Sequence, residues 1–167
     1  MGLLGGTYSG AGIDGRKFSV PTTTELELEV FTDVDESFNL RAVMAMELDT
    51  NRVHYTYAGF GKSNYFYGRG RKDLRTEKAI SAKLVPRTRY YWGWNLGVSQ
   101  VLVIPYGLVL ASYSTTLDVS LSAGIIYQLS ENLGVEFRGG FGMGYGFSAV
   151  TVTGVTTSAL IGLAYFL

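Results

Sequence analysis

Three carboxylates recur at every second position in Glu25-Leu26-Glu27-Leu28-Glu29. A period of two is the strand period, so all three belong to one face. Such a row suits a cation by charge. Side chains two apart on a strand stand about 7 Å from one another, however, too far for a tight cage unless a neighbouring strand contributes. Pairing with bases on adjacent strands, Arg41 among them, is the expected use. His54 is the one imidazole and the chain has no cysteine. Disulfides and thiolate metal sites are thereby excluded, and His54 lacks a recognisable partner for a triad. The glycines at 139, 140, 142 and 144 superficially match a phosphate loop, but no Lys-Ser/Thr pair and no helical pattern follow them. The expectation is a chain with no catalytic residue, no metal site and no cofactor.

The elements that position these residues are legible in composition. Charges balance, 14 Lys+Arg against 14 Asp+Glu, without the basic excess a nucleic-acid partner requires. Charged residues make up 17%, against roughly 25% in an ordinary soluble domain. Glycine (22) and tyrosine (12) are abundant. This combination fits a small closed barrel facing lipid, with glycines relieving crowding inside and aromatics gathered at the two bilayer interfaces. Residues 90–117 and 139–167 carry little charge, which raises the transmembrane helix. Pro105, the β-branched residues and the period-two glycines favour strands instead.

The alternation recurs along the chain. Leu40, Ala42, Met44, Met46 and Leu48 share one face, and Val53, Tyr55 and Tyr57 are expected to point outward on the next strand. A long strand follows from Ile80, Ala82 and Leu84 to Trp94, then others around 98–110, 117–129, 135–147 and 158–167. Tight turns are expected at 49–51, 95–97 and 130–132. Eight strands result, within a barrel of residues 21–167. Residues 1–20, with Gly5, Gly6, Gly10 and Gly12, read as a flexible N-terminal segment. No leader is legible in Met1-Gly2-Leu3-Leu4.

This register assigns Glu25, Glu27, Glu29, Glu47, Asp118 and Glu136 to the lumen together with Arg41, Arg52, Lys83, Arg87, Arg89 and Arg138. Matched charges in an interior that side chains just fill would form an ion-pair plug. Tyr90, Tyr91, Trp92, Trp94, Tyr127 and Tyr165 are assigned to one aromatic girdle, Tyr145 to the other along with Tyr65, Tyr67, Tyr113 and Phe147. Arg69, Arg71, Lys72 and Arg75 fall in the most charged stretch, read as a solvated outer loop suited to lipopolysaccharide phosphates or a partner surface.

The turn Ser130-Glu131-Asn132-Leu133 and the closing Leu163-Ala164-Tyr165-Phe166-Leu167 make the chain resemble the small outer-membrane barrels of Gram-negative bacteria, the OmpA/OmpX type. The resemblance implies an all-β, eight-stranded antiparallel up-and-down transmembrane β-barrel in the bacterial outer membrane. It also implies a monomer without enzymatic activity, with a structural, adhesion or surface-interaction role, whose partners are the lipid bilayer and lipopolysaccharide. Such families end in an aromatic residue; here Leu167 is last and Phe166 lies on the opposite face. Two alternatives use the same alternation. One is a soluble lipocalin-type barrel, with the faces exchanged and an apolar ligand inside. The other is a lipid A-modifying barrel enzyme acting through His54. The position of His54 beside the 49–51 turn places it low in the barrel, far from the outer leaflet, where a structural role is expected.

Overall fold

The computed structural model describes residues 1–12, 17–33, 35–47, 52–67, 72–75, 81–84, 87–103, 112–146 and 153–166. Ten strands are present: β1 (Gly2–Gly12), β2 (Lys17–Phe31), β3 (Glu36–Glu47), β4 (Arg52–Tyr67), β5 (Lys72–Arg75), β6 (Ser81–Leu84), β7 (Thr88–Val103), β8 (Ser112–Gln128), β9 (Leu133–Gly146) and β10 (Thr153–Tyr165). Eight of them close a barrel in the order β1-β10-β9-β8-β7-β4-β3-β2, every neighbour antiparallel. β5 and β6 pair only with each other and form a hairpin inside the connection from β4 to β7. Closure leaves no strand edge for water or lipid to satisfy, the condition for spanning a bilayer with strands.

The count of eight is right, but two of its members differ from the sequence reading. The described residues among 1–20 belong to the barrel and are not an appendage to a barrel of 21–167. Gly2–Gly12 is β1, paired on one side with β10 and on the other with β2, which itself begins at Lys17. Glycine, a weak strand former in isolation, is held here by neighbours on both sides. The turn expected at 95–97 is absent, because β7 runs unbroken through it. Asn95 is fully buried and points inward, and Gly97 makes room for a tyrosine: a Cβ there would lie 2.6 Å from the ring of Tyr57. The asparagine and glycine serve the lumen instead of a bend. The strand expected from Ile80 to Trp94 is divided as well, since β6 belongs to the hairpin and β7 starts at Thr88.

Strand directions fix the ends. Both termini, the connections 32–35 and 129–132, and the long connection 68–87 with its hairpin occupy one end. The connections 13–16, 48–51, 104–111 and 147–152 occupy the other. The turns at 49–51 and 130–132 therefore belong to opposite ends. The backbone of His54 sits near the 48–51 connection, as expected, but that is the end away from the termini; its side chain lies outside the described residues.

The outer surface is apolar. Leu28, Leu40, Val119, Leu121, Phe137, Met143, Ile161 and Leu163 are all exposed, while the charged side chains Glu25, Glu27, Arg41, Arg89, Asp118, Glu136 and Arg138 are buried in the lumen. On β8 the outward positions run from Tyr113 to Tyr127 through Leu117, Val119, Leu121 and Ile125. With about 3.4 Å per residue and a tilt of about 40°, the two tyrosines stand roughly 35 Å apart along the axis. That distance brackets a hydrocarbon core of about 30 Å.

One phase error has a local cause. Tyr55 and Tyr57 were expected outward, yet both are buried. Ala45 pairs with Tyr55 and Met46 with Val53, so His54 is an extra residue in a β-bulge. The bulge reverses the alternation beyond it.

Candidate functional site: the barrel lumen

The inner face combines ionic, hydroxyl and small residues because each strand alternates against an apolar outer face. At the centre, the guanidinium of Arg138 (β9) contacts the carboxylates of Glu25 and Glu27 on β2 and of Glu136 on its own strand. Its Nε donates to the Tyr91 hydroxyl at 2.6 Å and to Glu136 at 2.9 Å. Arg41 on β3 adds a second base, with Nε 3.0 Å from Glu25 and Nη2 3.6 Å from Glu27. Tyr91 in turn donates to Glu136. Glu25, Glu27, Arg41, Glu136 and Arg138 thus share one network across three strands and a tyrosine. Removing water from these charges is costly, and multiple contacts from each guanidinium offset that cost.

Toward the end bearing the termini, Glu29 accepts hydrogen bonds from the hydroxyl of Tyr65, at 2.8 and 2.9 Å, and from Ser37 Oγ. Ile126 and Ala164 pack with Tyr65 and Tyr91, and Phe166 covers them. Arg89 lies over the Phe166 ring at 4.5 Å and donates to Gln128 Oε1 at 2.9 Å. On the other side of the network Asp118 accepts from Thr116 Oγ1 at 3.1 Å and from Tyr55 OH at 3.4 Å. Two voids flank the network. One, of about 40 Å³, lies among Arg41, Tyr55, Tyr57 and Asp118. The other, of about 620 Å³, lies among Glu27, Glu29, Tyr65, Tyr91 and Phe166 and reaches Met1 and Asp33 at the terminal end.

One assigned lumen residue falls elsewhere, and the side chains of three others lie outside the described residues. Arg87 is exposed and precedes β7, where its carbonyl accepts from the Gln128 amide at 2.7 Å. Lys83 is in β6, which pairs with β5 and not with any strand of the barrel wall; its side chain lies outside the described residues. Glu47 and Arg52 are register partners at the ends of β3 and β4; their side chains lie outside the described residues. The inward residues that a reading of charges misses are neutral ones: Ser37, Asn39, Tyr65, Tyr91, Asn95 and Gln128. Their signal was the same alternation, applied to hydroxyl and amide residues.

Around the outside, Trp92, Tyr127 and Tyr165 are exposed and Tyr90 half-buried near the terminal end, where Phe66 packs on Tyr90 at 6.1 Å. Trp94 is half-buried further in, edge-on to Phe60 at 6.4 Å. Tyr145 and Tyr113 are exposed at the opposite end. Tyr65 and Tyr67 belong with the terminal-end group, since they pair with Tyr91 and Tyr90, and Tyr65 points inward. Of the basic cluster, Arg69 and Arg71 lie outside the described residues, while Lys72 and Arg75 begin and end β5. The whole connection shares its end with the termini and two short turns, not with the 104–111 and 147–152 connections.

No known family and no curated protein matches this sequence. Among solved structures, the chain is similar to Neisserial surface protein A, NspA, at a TM-score of 0.62 and 12% identity over 99% of this chain and 97% of that one. It is also similar to the N-terminal β-barrel domain of Pseudomonas aeruginosa OprF, at a TM-score of 0.54 and 11% identity over 97% of this chain and 96% of that one. The fold is that of a small outer-membrane β-barrel. At these identities the likeness is one of architecture: wall, strand number and connectivity. A lipocalin-type arrangement is the reverse of what this barrel has, since it would need an apolar lumen and a charged exterior.

Proposed function

We propose that this protein is a monomeric, non-catalytic barrel of the bacterial outer membrane, with a structural and surface-interaction role. The observation that carries it is the sidedness of the wall: leucines, valines and aromatics outside, an arginine–carboxylate network inside. Water would penalise that exterior and lipid does not. The Arg138 network then acts as a plug, dividing the two lumen voids.

The surface role is assigned to the 68–87 connection. It holds seven of the 14 Lys and Arg and two of the 14 Asp and Glu, so a neutral chain is strongly polarised. Arg69, Arg71, Lys72 and Arg75 supply four of these cations, and phosphate groups of lipid heads are the chemistry they fit. The test uses refolded protein and variant R69Q/R71Q/K72Q/R75Q in detergent, mixed with vesicles of neutral lipid alone, with phosphatidylglycerol, or with lipopolysaccharide. The expected result is salt-sensitive binding to one or both anionic vesicles that the variant loses while keeping its heat-modifiable gel shift. Equal binding by the variant rejects the surface role. Solubility without detergent rejects the membrane barrel itself.

A further inference from the structure

The 620 Å³ void at the terminal end is more than a gap below the network. Glu29 projects into it, and among the described side chains its only hydrogen-bond donors are the neutral hydroxyls of Tyr65 and Ser37. No ion pair to Glu29 is present among those residues, whereas Glu25, Glu27 and Glu136 each contact Arg138. Among the described residues around this part of the lumen, five carboxylates, Glu25, Glu27, Glu29, Asp33 and Glu136, face three guanidinium groups, Arg41, Arg89 and Arg138, and the ammonium of Met1. The set is one cation short. On the next strand Asn39, the register partner of Glu29, is 2% exposed and keeps its Oδ1 without a hydrogen-bond donor among the described residues.

The remaining walls narrow the chemistry. Phe31 and Tyr65 stand with ring centroids 5.2 Å apart at the mouth, and Tyr65 and Tyr91 stand 5.4 Å apart behind them. Ile126, Ala164 and Phe166 complete an apolar side. A bare metal ion gains little from such walls. An ammonium head on an aliphatic stem gains from ring faces, from apolar contact and from three N–H donors.

We propose that this vestibule binds an aliphatic primary ammonium compound, its head on Glu29 and its stem along Phe31 and Tyr65. The test is titration calorimetry of the whole refolded chain in zwitterionic detergent, with n-butylammonium chloride as probe and sodium chloride at matched ionic strength as reference. Wild-type protein is expected to give a saturable isotherm that sodium does not compete away. Glu29→Gln should weaken it by about tenfold or more, since a charge-assisted bond is lost. Phe31→Ala, at the exposed mouth where folding is insensitive, should weaken it about threefold. Folding of each variant is read from its heat-modifiable gel shift. No saturable binding by folded wild type, equal competition by sodium, or unchanged binding in folded Glu29→Gln or Phe31→Ala overturns the proposal. These outcomes are independent of vesicle binding by the 68–87 connection.

Discussion

The ring of Tyr91 occupies the space left by the missing side chain of Gly124, its register partner on β8: a Cβ at 124 would lie 2.5 Å from the ring. The tyrosine that donates to Glu136 and accepts from Arg138 is therefore positioned by a glycine across the ladder. Gly124→Ala should destabilise the barrel by about 1–3 kcal/mol, because the ring must leave its place in the network or the wall must move. The cost should largely vanish in a Tyr91→Ala background. Urea titrations in lipid vesicles measure both. The same penalty with and without the tyrosine would mean that Gly124 serves the backbone alone.

This pairing also shows what was legible in the sequence and what was not. The period-two pattern identified both faces of β2, β3, β8 and β9, because every second residue there differs sharply from its neighbour in polarity. It failed at Tyr55 and Tyr57, where a bulge at His54 shifts the phase and where tyrosine fits lipid and lumen equally well by composition. It failed at Asn95 and Gly97, whose types signal a turn locally but whose neighbours across the ladder need a small or polar inner residue. It missed β1, whose glycines carry little strand propensity and are ordered by pairing to β2 and β10, contacts distant in sequence. Arg138 was assigned to the lumen from alternation. Its meeting with Glu25 and Glu27 depends on closure of the barrel, which no local pattern encodes.

Arg138 is the group most shared within the lumen. Arg138→Met would leave Glu25 and Glu27 with Arg41, and Glu136 with the Tyr91 hydroxyl. A loss of about 3–5 kcal/mol is expected, the usual consequence of stranding buried charge. Adding Glu136→Gln to the same chain removes one stranded carboxylate and should recover part of the loss. Unfolding midpoints in vesicles at neutral pH test both steps. If Arg138→Met is neutral, the carboxylates are not sealed from water and the plug does not exist.

The placement of the basic hairpin follows from strand direction alone. A cysteine at Lys72 and one at Ser130 should react with a membrane-impermeant maleimide from the same side of a sealed, uniformly oriented vesicle. A cysteine at Gly107, in the connection from β7 to β8, should react from the other. No native cysteine interferes. Labelling of positions 72 and 107 from one side, with 130 alone on the other, would contradict the order of strands.

Sidedness is tested most directly by placing a charge at chosen depths on the outer wall. Leu121 lies near the middle of the outward row of β8, Tyr127 near its terminal end, and both are exposed. Leu121→Arg should cost about 2–4 kcal/mol in a bilayer, because the guanidinium has no water or headgroup within easy reach. Tyr127→Arg should cost about 0–1 kcal/mol, since the longer side chain reaches the interface. The ordering of the two separates a lipid-facing wall from a merely apolar one. On a barrel surrounded by water the two arginines would cost alike, and an arginine at 121 would be as harmless as any surface substitution.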